Sequence, residues 1–256
     1  MTQFTRVFLN PRNRTTRSVL ASQERLHAII ARATAEDVGT MSHGDAAIPS
    51  GVGETGATMS QGRCLWRLDR GADHHSLYIV SAGVPDVHIL KDQVDIEGVD
   101  IATCEYDPFL LRLATGQEWQ FRLRANPTSS IPSGKHGIRG TRKGILNKDK
   151  QIAWLLSKAR NYGFHIPINR LEVPEIRVSD SRSVDFNRRG SVVTFAAAVF
   201  DGYLAVDDPV ALRSALTQGI GRGKGYGFGL LTLAPIPRGV RPKETMETLQ
   251  VGERHG

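Results

Sequence analysis

Residues 191–233 read SVVTFAAAVFDGYLAVDDPVALRSALTQGIGRGKGYGFGLLTL, and this stretch decides the fold. Its first part, 191–203, is rich in β-branched and aromatic residues and predicts a strand. Asp207 or Asp208 then caps a helix that opens at Pro209, the favoured first position for proline, and runs to Gln218. Glycines at every odd position from 219 to 229 stop that helix, and 228–233 is strand again. A strand, a capped helix and a strand in close succession build part of an antiparallel sheet covered on one side by helices.

The same grammar extends toward the N-terminus. A helix from about Lys150 carries Ile152, Leu155, Leu156 and Ala159 on one face, and 168–178 is a strand. The connection 179–190 holds Arg182, Arg188 and Arg189. Residues 150–235 thus form one α+β unit, and 236–256 a polar tail without structure. A first unit occupies 1–127. It has a strand at 4–9, a helix over 19–34 with Leu26, Ile29, Ile30 and Ala33 on one face, and strands at 64–68 and 76–80. Two more strands, 101–113 and 119–124, flank the turn 114–117, and Asn126-Pro127 ends the unit. Residues 35–62 are mostly Gly, Ser, Thr and Ala and read as a mobile insertion without a fold of its own. Residues 128–149 read as a basic linker rich in Pro and Gly.

The net charge of +7 is concentrated. Between Phe121 and Arg160 stand ten Lys or Arg against one acid, Asp149, so this segment carries +9 and the remainder −2. A concentrated block of that kind is the footprint of a polyanion partner, and RNA-binding modules often use such sheets. The block has no continuous amphipathic helix, no apolar run approaches the ~20 residues of a membrane span, and the first ten residues lack the features of a signal peptide. The sequence therefore reads as cytoplasmic, with no membrane partner. Cys64 and Cys104 read as free, buried thiols on strands, without the His partners of a zinc site.

The glycine run excludes two nucleotide readings. A dinucleotide fingerprint needs glycines of odd and even number, and here all are odd. A phosphate loop needs Ser or Thr after Gly-Lys, and Lys224 is followed by Gly225. No nucleotide cofactor is implied. Gly221, Arg222, Gly223, Lys224 and Tyr226 instead predict a loop whose bare backbone approaches a nucleic-acid strand while its cations meet phosphates.

Phe121-Arg-Leu-Arg-Ala-Asn-Pro127, Gln151-Ile-Ala-Trp-Leu155, Gly219-Ile-Gly221 and Gly227-Phe-Gly-Leu-Leu-Thr-Leu-Ala-Pro235 together resemble the CasE family, over roughly residues 4–235. CasE proteins are the CRISPR repeat-processing endoribonucleases of the type I-E surveillance complex, Cascade. The resemblance implies two tandem ferredoxin-like (RRM-like) domains of α+β class. It also implies cleavage of precursor CRISPR RNA at the 3′ side of each repeat stem-loop, retention of the mature crRNA, and assembly with other Cascade subunits. The family's catalytic histidine lies in a leucine-histidine pair on the first helix, matched here by Leu26-His27. Family members often carry a tyrosine three residues earlier, where this chain has Glu24. A carboxylate one turn away either raises the imidazole pKa or is a solvated surface group.

RNA brings its own nucleophile, the 2′-OH, whose in-line attack leaves a 2′,3′-cyclic phosphate and a 5′-OH. The protein has to move protons and stabilise charge, which suits a histidine titrating near neutrality together with backbone amides and cations. The acids are scattered, without the carboxylate cluster of a two-metal nuclease, so no metal and no other cofactor is expected. The candidate catalytic residues are His27 and Glu24. His136 of the linker is second to His27; His43, His74, His75, His88, His165 and His255 read as surface, edge or solvated residues. The candidate RNA contacts are Arg122, Arg124, Lys135, Arg139, Arg142, Lys143, Arg182, Arg188 and Arg189 with the loop residues above. The rival readings are a non-catalytic RNA-binding module and a structural subunit of a ribonucleoprotein complex.

Overall fold

The FTRVFL pattern becomes strand β1, Gln3–Leu9, with alternate side chains buried. The chain is described from a computed structural model, over residues 1–35, 64–94, 96, 100–131, 141–188 and 191–237. The expected insertion from residue 36 onward, the tail beyond 237, and Lys135, Arg139, Arg189, His43, His136 and His255 lie outside these residues.

The helix expected over 19–34 is two helices. Asn13 Oδ1 accepts from the Thr15 and Thr16 amides at 2.7 and 3.1 Å and starts α1, Arg14–Leu20. Ser22 Oγ accepts from the Arg25 amide at 3.2 Å and starts α2, Gln23–Ala33. Each cap satisfies amides that a helix leaves without partners at its first turn. Strands β2 (Leu65–Arg70) and β3 (His75–Ser81), helix α3 (Val87–Gln93) and strand β4 (Ile101–Glu105) complete the unit. The strands run antiparallel in the order β2-β3-β1-β4, the βαββαβ order of a ferredoxin-like domain. Val7, Leu9, Leu26, Ile29, Ile30, Leu77 and Ile79 fill the space between sheet and helices.

The strand expected over 101–113 ends at Glu105, because Asp107-Pro108 opens a short helix, α4 (Asp107–Leu111). Strand β5, Glu118–Ala125, then leaves the first sheet. It pairs with β10 (Ser191–Val206) and β11 (Leu231–Ala234), so the second unit begins before residue 118 rather than after 127. Its sheet runs β11-β5-β10-β9, with β9 at Ile176–Arg188, a short β8 (Phe164–His165) on the end of β10, and helices α5 (Lys148–Ala159) and α6 (Pro209–Gln218). This is the ferredoxin-like order a second time. The expected linker contains a two-stranded ribbon, β6 (Thr128–Ile131) with β7 (Thr141–Gly144). The strand expected at 168–178 starts at Ile176 and continues through the expected connection, and the first half of β10 pairs with β9 alone as a projecting hairpin. The thiols are free; Cys64 is half-buried, but Cys104 on β4 is exposed, a correction to the burial expected of both.

The two units share an interface through β2, where Leu65 joins the second core, Trp66 the first, and Arg67 and Leu68 are also buried. Burial on both faces removes the usual alternation of a strand. Arg67, 1% exposed, grips both Asp69 carboxylate oxygens at 2.8 and 2.9 Å and donates to the Arg122 and Leu230 carbonyls at 2.8 and 3.1 Å. A buried guanidinium is tolerated only when its donors are matched in this way, and its partners here belong to both units.

Candidate functional site at the seam of the two domains

The apolar stripe of α2 turns Leu26, Ile29, Ile30 and Ala33 into the first core and leaves His27 half-buried at its edge. The imidazole faces the glycine run. Residues Lys224–Tyr226 form a single 3-10 turn against α2 and β2, and a Cβ at Gly225 would lie 3.5 Å from His27 Cε1 and Nε2. The Tyr226 ring sits beside His27, with centroids 6.5 Å apart and planes tilted by 33°. The opposite side of Tyr226 rests on Phe186 and Phe195, at 5.0 and 5.2 Å.

Glycine at 227 makes this approach possible. Its φ of +76° is strained for any side chain, and a Cβ there would stand 2.6 Å from Cζ3 of Trp66. The bare backbone lets the loop lie on β2 of the other domain and present Gly225 and Tyr226 to His27. The run was expected to bare its backbone to a strand of nucleic acid; within the protein its bareness joins the two domains at the histidine.

Burial lowers the His27 pKa below the 6.5 of a free imidazole, so the ring is neutral at neutral pH. Nδ1 is buried, with no hydrogen-bond partner among the described residues. Glu24 is exposed on the first turn of α2, and it is burial that shifts His27. A neutral imidazole with a free lone pair can accept a proton from a substrate placed at the seam.

The candidate cations divide into four places. Arg122 and Arg124 were expected as RNA contacts, but on β5 each is engaged by the protein itself. Arg122 is half-exposed and paired with acids of both domains, its Nε 2.5 Å from Asp201 and its Nη1 3.6 Å from Asp69. Arg124 is buried with its guanidinium 4.7 Å over the Phe228 ring, and burial, with the nearby charge of Arg182, pushes its pKa down to about 10. Arg182 is exposed on β9, 3.5 Å from Asp180. Arg142, Gly221 and Arg222 come together with Lys158 around a cavity of about 390 Å³, and Lys143 is exposed beside Arg142 on β7. Gly223, at φ +81°, and Lys224 belong to the turn at His27. Arg188 ends the β9 ladder, and its side chain lies outside the described residues. Sequence reasoning missed Gln23 and Arg70, which border a cleft beside α2; Arg70 carries no sequence signal beyond ending β2.

Among the described residues, no three His, Cys, Asp or Glu side chains gather as a metal site would, and no helix is long and apolar enough to cross a membrane.

Two ferredoxin-like domains meet at a glycine-rich loop beside His27, so the candidate site belongs to neither half alone. The sequence profile of the family described as CRISPR associated protein matches residues 3–235. The chain is 27% identical over 239 residues to the CRISPR-associated endoribonuclease Cse3 of Thermus thermophilus, covering 90% of this chain and 99% of that protein. It is 32% identical over 131 residues to the CRISPR system Cascade subunit CasE of Escherichia coli, covering 49% of this chain and 62% of that one. The solved structure of Thermus thermophilus Cse3 bound to an RNA representing a pre-cleavage complex superimposes with a TM-score of 0.68 at 25% identity, over 91% of this chain and 99% of that one. This chain belongs to the CasE family of CRISPR-associated proteins.

Proposed function

We propose that this protein is an endoribonuclease that cuts precursor CRISPR RNA on the 3′ side of each repeat stem-loop without a metal, and that it works in the cytoplasm. It keeps the mature crRNA and assembles with the other subunits of a Cascade complex. The observation that carries the reading is His27, held neutral by burial at the seam where the glycine-rich loop of one domain meets the first long helix of the other. The family and the names of its members supply the substrate class.

In this reading His27 takes the proton of the 2′-OH beside the scissile phosphate. The 2′-oxygen attacks phosphorus, the bond to the 5′-oxygen breaks, and that oxygen leaves with a proton from solvent. A positioned base of this kind contributes about 10²–10⁴-fold in rate. Arg142 and Arg222, around the cavity next to Lys158, and Arg182 on the projecting hairpin hold phosphates of the stem. Tyr226 keeps the imidazole in place from the loop side, and burial, not the exposed Glu24, shifts its pKa.

The purified chain is expected to cut a repeat hairpin in the presence of EDTA and to leave a 2′,3′-cyclic phosphate, which phosphatase treatment and mass analysis of the 5′ fragment would detect. Strict dependence on added Mg²⁺, or a 3′-OH product, would overturn the mechanism. Tight binding without any cutting would leave the chain a holder of RNA.

A further inference from the structure

A cleft runs between the start of α2 and strand β9. Its larger part encloses about 470 Å³ and its inner end about 160 Å³, and Gln23, Arg70, Arg124 and Arg182 border both parts. The larger volume lies within the range of ~300–1,000 Å³ typical of ligand clefts. Its far wall continues to the histidine through aromatic contacts. Arg124 stacks on Phe228, Phe228 meets Phe186 at 6.2 Å, Phe186 meets Tyr226, and Tyr226 lies against His27.

The arginines of this cleft are not equivalent. Asp69 is spanned by Arg67 and Arg122, Asp201 is held by Arg122, and Arg182 has Asp180 beside it. Arg124 and Arg70 have no carboxylate within ion-pair distance among the described residues. Of the remaining acids at the cleft, Asp185 accepts from the Thr194 hydroxyl at 2.6 Å and Glu24 is exposed on the opposite lip. Arg124 is the anomaly, since a guanidinium only 5% exposed ordinarily has a counter-ion. Asp180 and Asp69 act on it only from beyond ion-pair distance, and the Phe228 ring and the charge of Arg182 lie close to it.

Resting on the function proposed above, we infer that this cleft holds one backbone phosphate of the RNA strand, gripped by Arg70 and Arg124, as the strand passes α2 on its way to His27. A phosphodiester is the anion such a strand brings, and paired guanidiniums are suited to its oxygens. Gln23 adds a second match: its Oε1 is buried without a hydrogen-bond partner, and the ribose 2′-OH of the same nucleotide is a donor for it.

The test uses the full-length chain and a repeat hairpin made uncleavable by a 2′-deoxy sugar at the cut site. Arg70 is exposed, so Arg70→Gln leaves both cores intact. The variant is expected to bind about tenfold more weakly, with the log–log salt slope reduced by roughly 0.7–1. Replacing the RNA linkages one at a time by neutral methylphosphonates then locates the contact. At one linkage the difference between wild type and Arg70→Gln is expected to vanish. A difference that persists at every linkage would mean diffuse attraction and overturn the inference. So would unchanged RNA affinity accompanied by failed assembly with protein subunits, which would assign the cleft to an acidic protein segment. Wild type that does not bind the hairpin at all would overturn the proposed function itself, a result distinct from either.

Discussion

His27→Ala is expected to reduce single-turnover cleavage of the repeat hairpin by about 10²–10⁴-fold, the contribution of a positioned general base, while RNA affinity stays nearly unchanged. The ring borders the apolar stripe of α2 rather than filling it, so its removal opens no cavity in the first core. Nor does it subtract from the positive surface, because burial already keeps the imidazole neutral. Affinity resides in phosphate contacts elsewhere, and the loss falls on the chemical step. Gel-shift and cleavage assays on one preparation separate the two quantities. Normal cleavage by the variant would remove His27 from the chemistry and leave His136 as the next candidate. Loss of binding in a folded variant would make His27 an RNA contact.

Gly227→Val is expected to have the second-largest effect, on stability and activity together. A side chain at φ +76° carries roughly 1–3 kcal/mol of backbone strain. The added Cβ also enters the Trp66 ring, and overpacking of that kind costs about 1–3 kcal/mol more. The loop relieves both by lifting off β2, which takes Gly225 and Tyr226 away from His27. Denaturant unfolding should show a loss of about 2–6 kcal/mol, and cleavage by the fraction still folded should fall as well. Gly225→Ala is the control, because its Cβ would meet His27 at an ordinary contact distance of 3.5 Å. Equal effects of the two substitutions would mean that the run needs glycine for general flexibility rather than for this one contact.

Local signals made α2, α5 and α6 legible, whereas α1, α3 and α4 were not read from the sequence. The i, i+3, i+4 spacing of Leu26, Ile29 and Ile30 gave α2, and Asp208 before Pro209 gave the start of α6, where its Oδ1 accepts from the Val210 and Ala211 amides. Non-local pairing was hidden. Arg122 and Arg124 were expected to meet RNA, whereas Asp69 of the other domain and Asp201 of β10 engage Arg122 and the Phe228 ring covers Arg124. The outer half of β9 was read as a connection because it pairs with the part of β10 that β5 does not reach and packs only on the small cluster around Phe186 and Phe228. The histidine was legible through its place on α2 and the family resemblance. Its meeting with Gly225 and Tyr226 was not, because nothing in a local pattern reports which distant loop will cover a helix.

The pH dependence of kcat/KM for hairpin cleavage in EDTA tests the central claim most directly, since it reads the ionisation of the free protein. A general base must be unprotonated to act, and burial favours the neutral ring of His27. Cleavage is therefore expected to rise with pH, with a midpoint below the 6.5 of a free imidazole, and to level off above it; in His27→Ala that rise should disappear. A midpoint above 6.5, or a rise that survives His27→Ala, would contradict the account.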